Sequence, residues 1–511
     1  MATQNDIKLL LSRNKEISIS VSLLDELYDT VRTISGYVKS ASYDISSTSN
    51  IRRTCSLTLA VPDKGSLNTE IEEKWIQRMV ELRCTVRSPG KTSVEYKLGR
   101  MLLVNAHTVF EATVQEIKLS LVDLMASITA DRGSQLGTDL LFPVGTSIKE
   151  SIIGTVSQFS PYKRLEWSEI PEFEDTVPYD LTISSGKYPF DALKELLSLF
   201  PYYEMFYDVN GIFRVQEVPT KTDDPIDIDY DIIDQLLISE KRSVNFSNVK
   251  NTTEIWGKQL DAMYTGVCKS SVSEDGTARY NVTIDESFKE LVVNETYSFT
   301  PDQASVYGQK LKLQETEEHP IYTQVTETTY RLINAGEMLA DVHYVVKYVE
   351  GKFVLQGESL IHVIVQEIDE MPLIDTQNEF KEDNNCNSVE WLVYETPSPF
   401  ACHLDDTYGT EKIQREIRQV LQGGEFDAIY TTKLALERAS YENWLRTRLQ
   451  DNVELEMIAI PWIDVNQKIR YTSPTTGELI TLVTQSISFD FSNWTMNVKA
   501  SKFYPYYPWL Q

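Results

Sequence analysis

Tyr430-Thr-Thr-Lys-Leu-Ala-Leu-Glu-Arg-Ala-Ser-Tyr-Glu-Asn-Trp-Leu-Arg-Thr-Arg-Leu449 contains neither glycine nor proline. Leu434, Tyr441, Trp444, Leu445 and Leu449 recur at helical spacing, so a helix is expected to bury that stripe. Lys433, Glu437, Arg438 and Arg446 should then face water. Four short runs of β character follow around Pro461: Val453–Ile460, Lys468–Thr472, Glu478–Phe489 and Trp494–Ala500. Pro474 and Gly477 supply a turn between the second and third. The last quarter of the chain therefore reads as one helix feeding a small antiparallel barrel.

Working back from there, the remainder is also rich in strands. Ile17–Leu23, Ser40–Ile45, Arg53–Val61, Leu82–Val86, Leu98–Val104 and Glu116–Val122 are strand candidates, and Ser66–Val80 has a helical face at Ile71, Trp75 and Met79. Gly99 and Gly477 each stand just ahead of a strand, with a second strand at nearly the same offset. That echo leaves an internal duplication open. Ser147–Phe159 and Phe190–Phe200 read as helices. Tyr202–Tyr207 and Ile212–Val218 pair as a hairpin across Asp208-Val-Asn-Gly211. In the acidic stretch Lys221–Asp234, Asp227, Asp229 and Asp231 alternate, but Ile232 and Ile238 stand where a calcium loop needs glycine and glutamate. Ile226, Ile228 and Tyr230 between the acids suggest an edge strand with a solvated charged face. Val249–Gly257, Tyr322–Leu332, Val342–Tyr348 and Phe353–Gln366 make a β-rich middle, and Asp369–Asn387 reads as a loop.

Composition narrows the function. A chain of 511 residues with 41% hydrophobic and 24% charged residues is globular and long enough for several domains. The 27 tyrosines and 18 phenylalanines favour strands and large buried contacts. Its formal charge of -28 argues against sequence-specific nucleic-acid binding, which gains affinity by gathering phosphates. Cys55, Cys84, Cys268, Cys386 and Cys402 are scattered, with neither a disulfide framework nor zinc-ligand spacing. The N-terminal residues lack a basic region and Leu9-Leu10-Leu11 is too short for a signal core, so no leader is expected. No apolar run reaches the roughly 20 residues of a membrane helix.

Motifs for nucleotide binding, zinc hydrolysis and serine hydrolysis are absent from the sequence. His343 and His362 fall in strand-like runs and read as structural. Cys402, His403, Asp405 and Asp406 form the most reactive-looking cluster, yet sequence neighbours in a strand point apart. No catalytic residue, cofactor or metal is therefore assigned. The aromatic ending Phe503-Tyr-Pro-Tyr-Tyr-Pro-Trp-Leu510 is stiff and adhesive, either folding back on the barrel or docking a partner. Tyr504, Tyr506, Tyr507 and Trp509 are its candidate partner-binding residues.

Five stretches carry a resemblance to a known family: Arg52-Arg-Thr-Cys-Ser-Leu-Thr-Leu59, Leu98-Gly-Arg-Met-Leu-Leu103, the Asp208–Gly211 hairpin, Val249-Lys-Asn-Thr-Thr-Glu-Ile-Trp-Gly257, and the helix-plus-barrel ending. Together they resemble the tail-tip or baseplate-hub proteins of tailed bacteriophages, related in fold to contractile-tail central hubs and type VI secretion spike bases. The resemblance implies an α+β, mostly β fold: two small related β-barrel domains with intervening α/β and β-rich domains. The corresponding spans are 1–130 and 427–511 for the barrels, 131–240 for the α/β part and 241–426 for the middle. It implies a homotrimer that joins a sixfold tail tube to threefold distal parts. Tail-tube protein, other baseplate or tail-tip proteins and tape-measure protein would be its partners. DNA would pass the lumen without sequence-specific binding. The place would be the distal end of the virion tail, after assembly in the host cytoplasm. The alternative is a receptor- or carbohydrate-binding virion adhesin, suggested by the tyrosines and the β-rich middle.

Overall fold

The structure, a computed structural model, describes the chain apart from residues 1–7, 62–78, 89–92, 163–169, 246–249, 369–378, 382–390, 398–404, 505–511 and short intervals elsewhere. Strands dominate it, so the α+β, mostly β expectation holds. The expected helix at Ser66–Val80 lies outside the described residues, except that Met79 and Val80 open a strand.

One eleven-stranded sheet organises the fold. Its strands are β1 (Glu16–Leu24), β2 (Thr30–Ser46), β3 (Arg53–Val61), β4 (Met79–Arg87), β5 (Val94–Glu111), β6 (Val114–Asp123), β7 (Leu237–Asn245), β8 (Gln450–Ile458), β9 (Lys468–Thr472), β10 (Leu479–Asp490) and β11 (Thr495–Lys502). The first six close into a ring in the order β1-β4-β5-β6-β3-β2, because β2 also pairs with β1. The far end of β2 then passes to β10: Ser42–Ser46 pairs antiparallel with Ser486–Asp490. Beyond that seam the order runs β10-β11-β8-β7, with β9 also on β10.

Two halves of this sheet have the same topology. In space the first reads β4-β5-β6-β3-β2 and the second β9-β10-β11-β8-β7, all neighbours antiparallel. Along the chain each set is visited in the same order. Bulges recur at matching places. The β5–β6 register slips between Leu103 and Asn105, and the β10–β11 register between Thr484 and Ser486. The β2–β3 register slips between Val38 and Ser40, and β7–β8 between Leu237 and Ser239. Matching bulges set Val104 against Gln485, which puts Gly477 opposite Tyr96. The Gly99/Gly477 echo is therefore out of register. Gly99 lies inside β5, whereas Gly477 makes the β9–β10 turn at φ +73°. Only β1 has no counterpart.

Alternation explains why both sets face one interior. Cys55, Leu57 and Leu59 on β3 and Val453, Leu455 and Met457 on β8 point inward at every second position, into a single continuous core. At the seam Tyr43 meets Phe489 with ring centroids 5.5 Å apart, and its hydroxyl donates to the Leu98 carbonyl at 2.5 Å.

A second layer covers one end. Helices α1 (Ile148–Phe159) and α2 (Pro189–Leu197) pack with the hairpin Tyr203–Tyr207/Phe213–Glu217. Ser147 caps α1 by accepting from the Glu150 amide at 3.3 Å. The hairpin turn needs glycine: Gly211 has φ +69°, and Asp208 Oδ1 accepts from the Asn210 and Ile212 amides.

Further on, Thr252–Gln259, Leu360–Ile368, Trp391–Pro397, Glu379–Lys381 and Arg418–Leu421 form a five-stranded sheet, so part of the loop expected at Asp369–Asn387 is strand. An eight-stranded sheet between Tyr264 and Glu358 has its own core around Tyr280, Tyr297, Phe299 and Phe353. The β-rich run expected at Tyr322–Leu332 consists of two strands, His319–Gln324 and Tyr330–Leu332, paired with each other. Phe353–Gln366, with a loop expected at Gly357, divides at Ser359 into Lys352–Glu358 and Leu360–Ile368.

The remaining helices correct two expectations. The acidic stretch is not an edge strand: Ile228 makes one bridge to Ile469, and Tyr230–Leu236 is helix α3. The C-terminal helix α4 spans Thr432–Arg446 and buries Leu434, Ala435, Leu436 and Ala439 in the core it shares with the five-stranded sheet, while Tyr441 packs on Tyr202 and Trp444. Arg438, expected in water, is buried, while Leu445, expected inside, is 38% exposed.

Candidate interaction surface

Arg52 and Arg53 follow the turn that leaves β2 and reach three parts of the chain at once. Arg52 donates to Asp464 Oδ1 at 3.2 Å, to Glu204 Oε2 at 2.7 Å and to the Val465 carbonyl at 2.9 Å. Its guanidinium lies 3.8 Å from the centre of the Phe206 ring. Arg53 pairs with the other oxygen of Asp464 and donates to the Tyr207 carbonyl at 2.7 Å. The first strand set, the hairpin and the loop leading to β9 are thus tied by two buried arginines. Burial, the largest single influence, opposes the Arg53 charge, but Asp464, Tyr43, Asp123 and Asp208 together outweigh it, so its pKa moves up. Asp123 completes the knot by accepting from the Arg53 amide at 2.9 Å and the Met125 amide at 2.9 Å. Burial raises its pKa to about 6 despite those bonds.

Three acids of the 221–234 stretch, Asp227, Asp229 and Asp234, bond to β9, while Asp223 and Asp231 are exposed to solvent. Asp227 accepts from the Lys468 amide at 2.9 Å, and Asp229 takes Arg470 in a two-point pair at 2.7 and 2.6 Å. That pairing, first among its causes, lowers the Asp229 pKa. The buried Lys468 ammonium donates to the carbonyls of Lys221, Thr222 and Asp224. Asp229 also caps α3.

The outer face of the second strand set is concave. A groove of about 1080 Å³ crosses β7, β8, β11 and β10, walled by the end of α4, the hairpin and the start of the aromatic ending. Its cations are Lys241, Arg242, Arg446, Lys499 and Lys502, against the carboxylates Glu204 and Glu454. Tyr441 and Trp444, ring centroids 5.5 Å apart, form an aromatic wall. Tyr504 lines the groove, with the Lys502 ammonium 5.5 Å from its ring, and the Phe503 amide donates to the Thr481 carbonyl at 2.9 Å. Tyr506, Tyr507 and Trp509 lie outside the described residues. Sequence reading missed the groove lysines; the alternation Asn497, Lys499, Ser501 on β11 marks an outward polar face, but says nothing of the walls opposite it.

The reactive-looking candidates divide similarly. Cys402 and His403 lie outside the described residues. His343 Nδ1 is 2.8 Å from Thr300 Oγ1, and burial lowers its pKa. His362 Nε2 is 3.0 Å from Glu254 Oε1, to which Trp256 Nε1 also donates, while Arg418 donates to Oε2 of the same carboxylate. Cys55, Cys84 and Cys268 are free and buried, each pushed up to about 12 chiefly by burial, so they are inert thiols. Among the described residues, no group of His, Cys, Asp and Glu is arranged to hold a metal, and no helix is long and apolar enough to cross a membrane.

Residues 405–507 match a family described as a domain of unknown function (DUF5048). No curated protein matches the chain. Among solved structures it is similar to the tail protein from Neisseria meningitidis MC58, at 7% identity, with 95% of this chain and 96% of that one covered and a TM-score of 0.44. It is also similar to the 43 kDa tail protein of prophage MuSo2 from Shewanella oneidensis, at 9% identity, covering 95% and 98%, with a TM-score of 0.45. A chain of the Francisella PdpA-VgrG complex is similar at 9% identity over 97% of this chain and 54% of that one, with a TM-score of 0.39.

Proposed function

We propose that this chain is a structural hub of a phage tail tip or baseplate, acting by shape rather than through a reactive centre. One observation carries the reading. The five-strand set occurs twice, in the same order, side by side on one sheet and around one core. A chain holding two near-equivalent sets gives six of them when three copies close a ring. That arrangement seats a sixfold tube on a threefold assembly. Tail-tube protein would meet the ring, and the eight-stranded sheet and its neighbours would reach other tail-tip parts.

The arginine knot suits this work because it keeps the two sets and the hairpin layer at one fixed angle. With a net charge of -28, a lumen lined by this chain would resist adhesion of DNA and let tape-measure protein and genome pass. The aromatic residues Tyr504, Tyr506, Tyr507 and Trp509, which follow β11 in the sequence, are proposed to contact a neighbouring subunit or protein. The setting is the distal end of a virion tail assembled in the host cytoplasm. Co-sedimentation with polymerised tail-tube protein tests the seat: the hub should cap tube ends, and failure to bind any tube end would overturn it.

A further inference from the structure

The geometry points to a docking site for an acidic, extended peptide segment of a partner protein in the groove between the second strand set and α4. The groove is cationic in a chain with 76 acidic and 48 basic residues, holding five cations against two carboxylates. One of those carboxylates, Glu204, is already held by Arg52 and by the Asn466 amide nitrogen at 2.6 Å. Lys241 and Lys499 are exposed and, among the described residues, make no ion pair. They flank Glu454 in one cross-strand row, Lys241 opposite Glu454 on β8 and Lys499 opposite it on β11. Neighbouring strands lie about 4.8 Å apart, so the two lysines rise roughly 10 Å from each other. A peptide in an extended, polyproline-like conformation advances about 3.1 Å per residue, so carboxylates at every third position match that separation.

The walls say what else the segment carries. Tyr441, Trp444 and the exposed Leu445 offer an apolar anchor site beside the lysines, fit for an aromatic side chain. Nucleic acid also combines negative charge with stacking, but a strand longer than the groove would run its phosphates over an acidic exterior. A short acidic peptide ends its charge inside the cationic patch. The hub reading rests on the doubled strand set and not on this groove, so failure of the site leaves that reading standing.

Fluorescence anisotropy tests the proposal on the full chain. The probe is a dye-labelled peptide with glutamate at every third position and one phenylalanine. Saturable binding is expected. It should weaken by about tenfold or more for Lys241→Glu/Lys499→Glu, which reverses two exposed charges, with melting followed as a control because the new carboxylates stand opposite Glu454, and for the same peptide with glutamine in place of glutamate, which leaves the protein untouched. Trp444→Ala should weaken it separately. No binding, equal binding of the glutamine peptide, insensitivity to the lysine reversals, or tighter binding of oligothymidylate would each overturn the site.

Discussion

At the residue scale Arg53 ties the first strand set to the hairpin and to the loop before β9. Its side chain is 2% exposed, and both the Asp464 carboxylate and the Tyr207 carbonyl depend on it. Arg53→Met removes the charge while keeping most of the volume, leaving the Asp464 carboxylate with only Arg52 of its two arginines and the Tyr207 carbonyl without its arginine donor. Urea denaturation should show a loss of about 3–5 kcal/mol; a loss below about 1 kcal/mol would mean the knot is ornamental. Asp123 gives a pH-dependent counterpart. Held at about 6 by burial against 3.8 for the ordinary side chain, it is protonated more readily in the folded chain. It therefore stabilises the fold fully below about pH 4, and that contribution, about 3 kcal/mol, is lost as pH rises through about 6. Carboxylates with lowered pKa, such as Glu81 and Asp229, act in the opposite sense and lose their contribution in acid. They are common to wild type and variant and cancel between them. The stability advantage of wild type over Asp123→Asn should thus shrink from about pH 4 to about pH 7. An advantage that is flat or grows would contradict the assignment.

At the scale of elements, close packing sets the test. A Cβ on Gly257 would sit 2.6 Å from the Ile429 carbonyl oxygen and 2.9 Å from Ile361, where the five-stranded sheet meets the chain entering α4. Gly257→Ala should cost about 1–3 kcal/mol in thermal or urea unfolding; a neutral result would show that this layer yields. Elements with a simple period were legible in the sequence. Arg53–Val61 and Lys468–Thr472 fall where alternation puts them, because each has one face in the core and one outside. Helix α3 was not, because its acids imitate an alternating strand. The signal that it is a helix is Asp229 as a cap followed by Ile233 and Leu236 on one face, and Asp229 pairs with Arg470, an arginine on β9 far along the chain. Arg438 escaped for a similar reason. Its buried guanidinium is held by Glu442, Glu425 and the Ser198 carbonyl, and the last two come from outside the helix.

At the scale of the whole molecule, the twofold plan was half legible. Helix and strands at the C-terminus could be read, and a duplication suspected, but the glycines that suggested it do not correspond. The real correspondence lies in strand order and bulge position, which are properties of pairing and leave little trace in residue identity. Nor does sequence show that the ring closed by β1 hands the end of β2 to β10, since Ser42–Ser46 and Ser486–Asp490 lie at opposite ends of the chain. That seam has its own test. Phe489→Ala empties the contact with Tyr43 and should cost about 3–5 kcal/mol in urea denaturation. A cost near zero would mean the two halves do not depend on each other.

The most direct measurement for the hub reading is the mass of the purified chain in solution, by light scattering coupled to size exclusion, with projection images of the same fractions. A mass three times 58.5 kDa and end views with six similar lobes are predicted. A monomer at every concentration tried, or a ring whose lobes alternate between two unlike shapes, would contradict it.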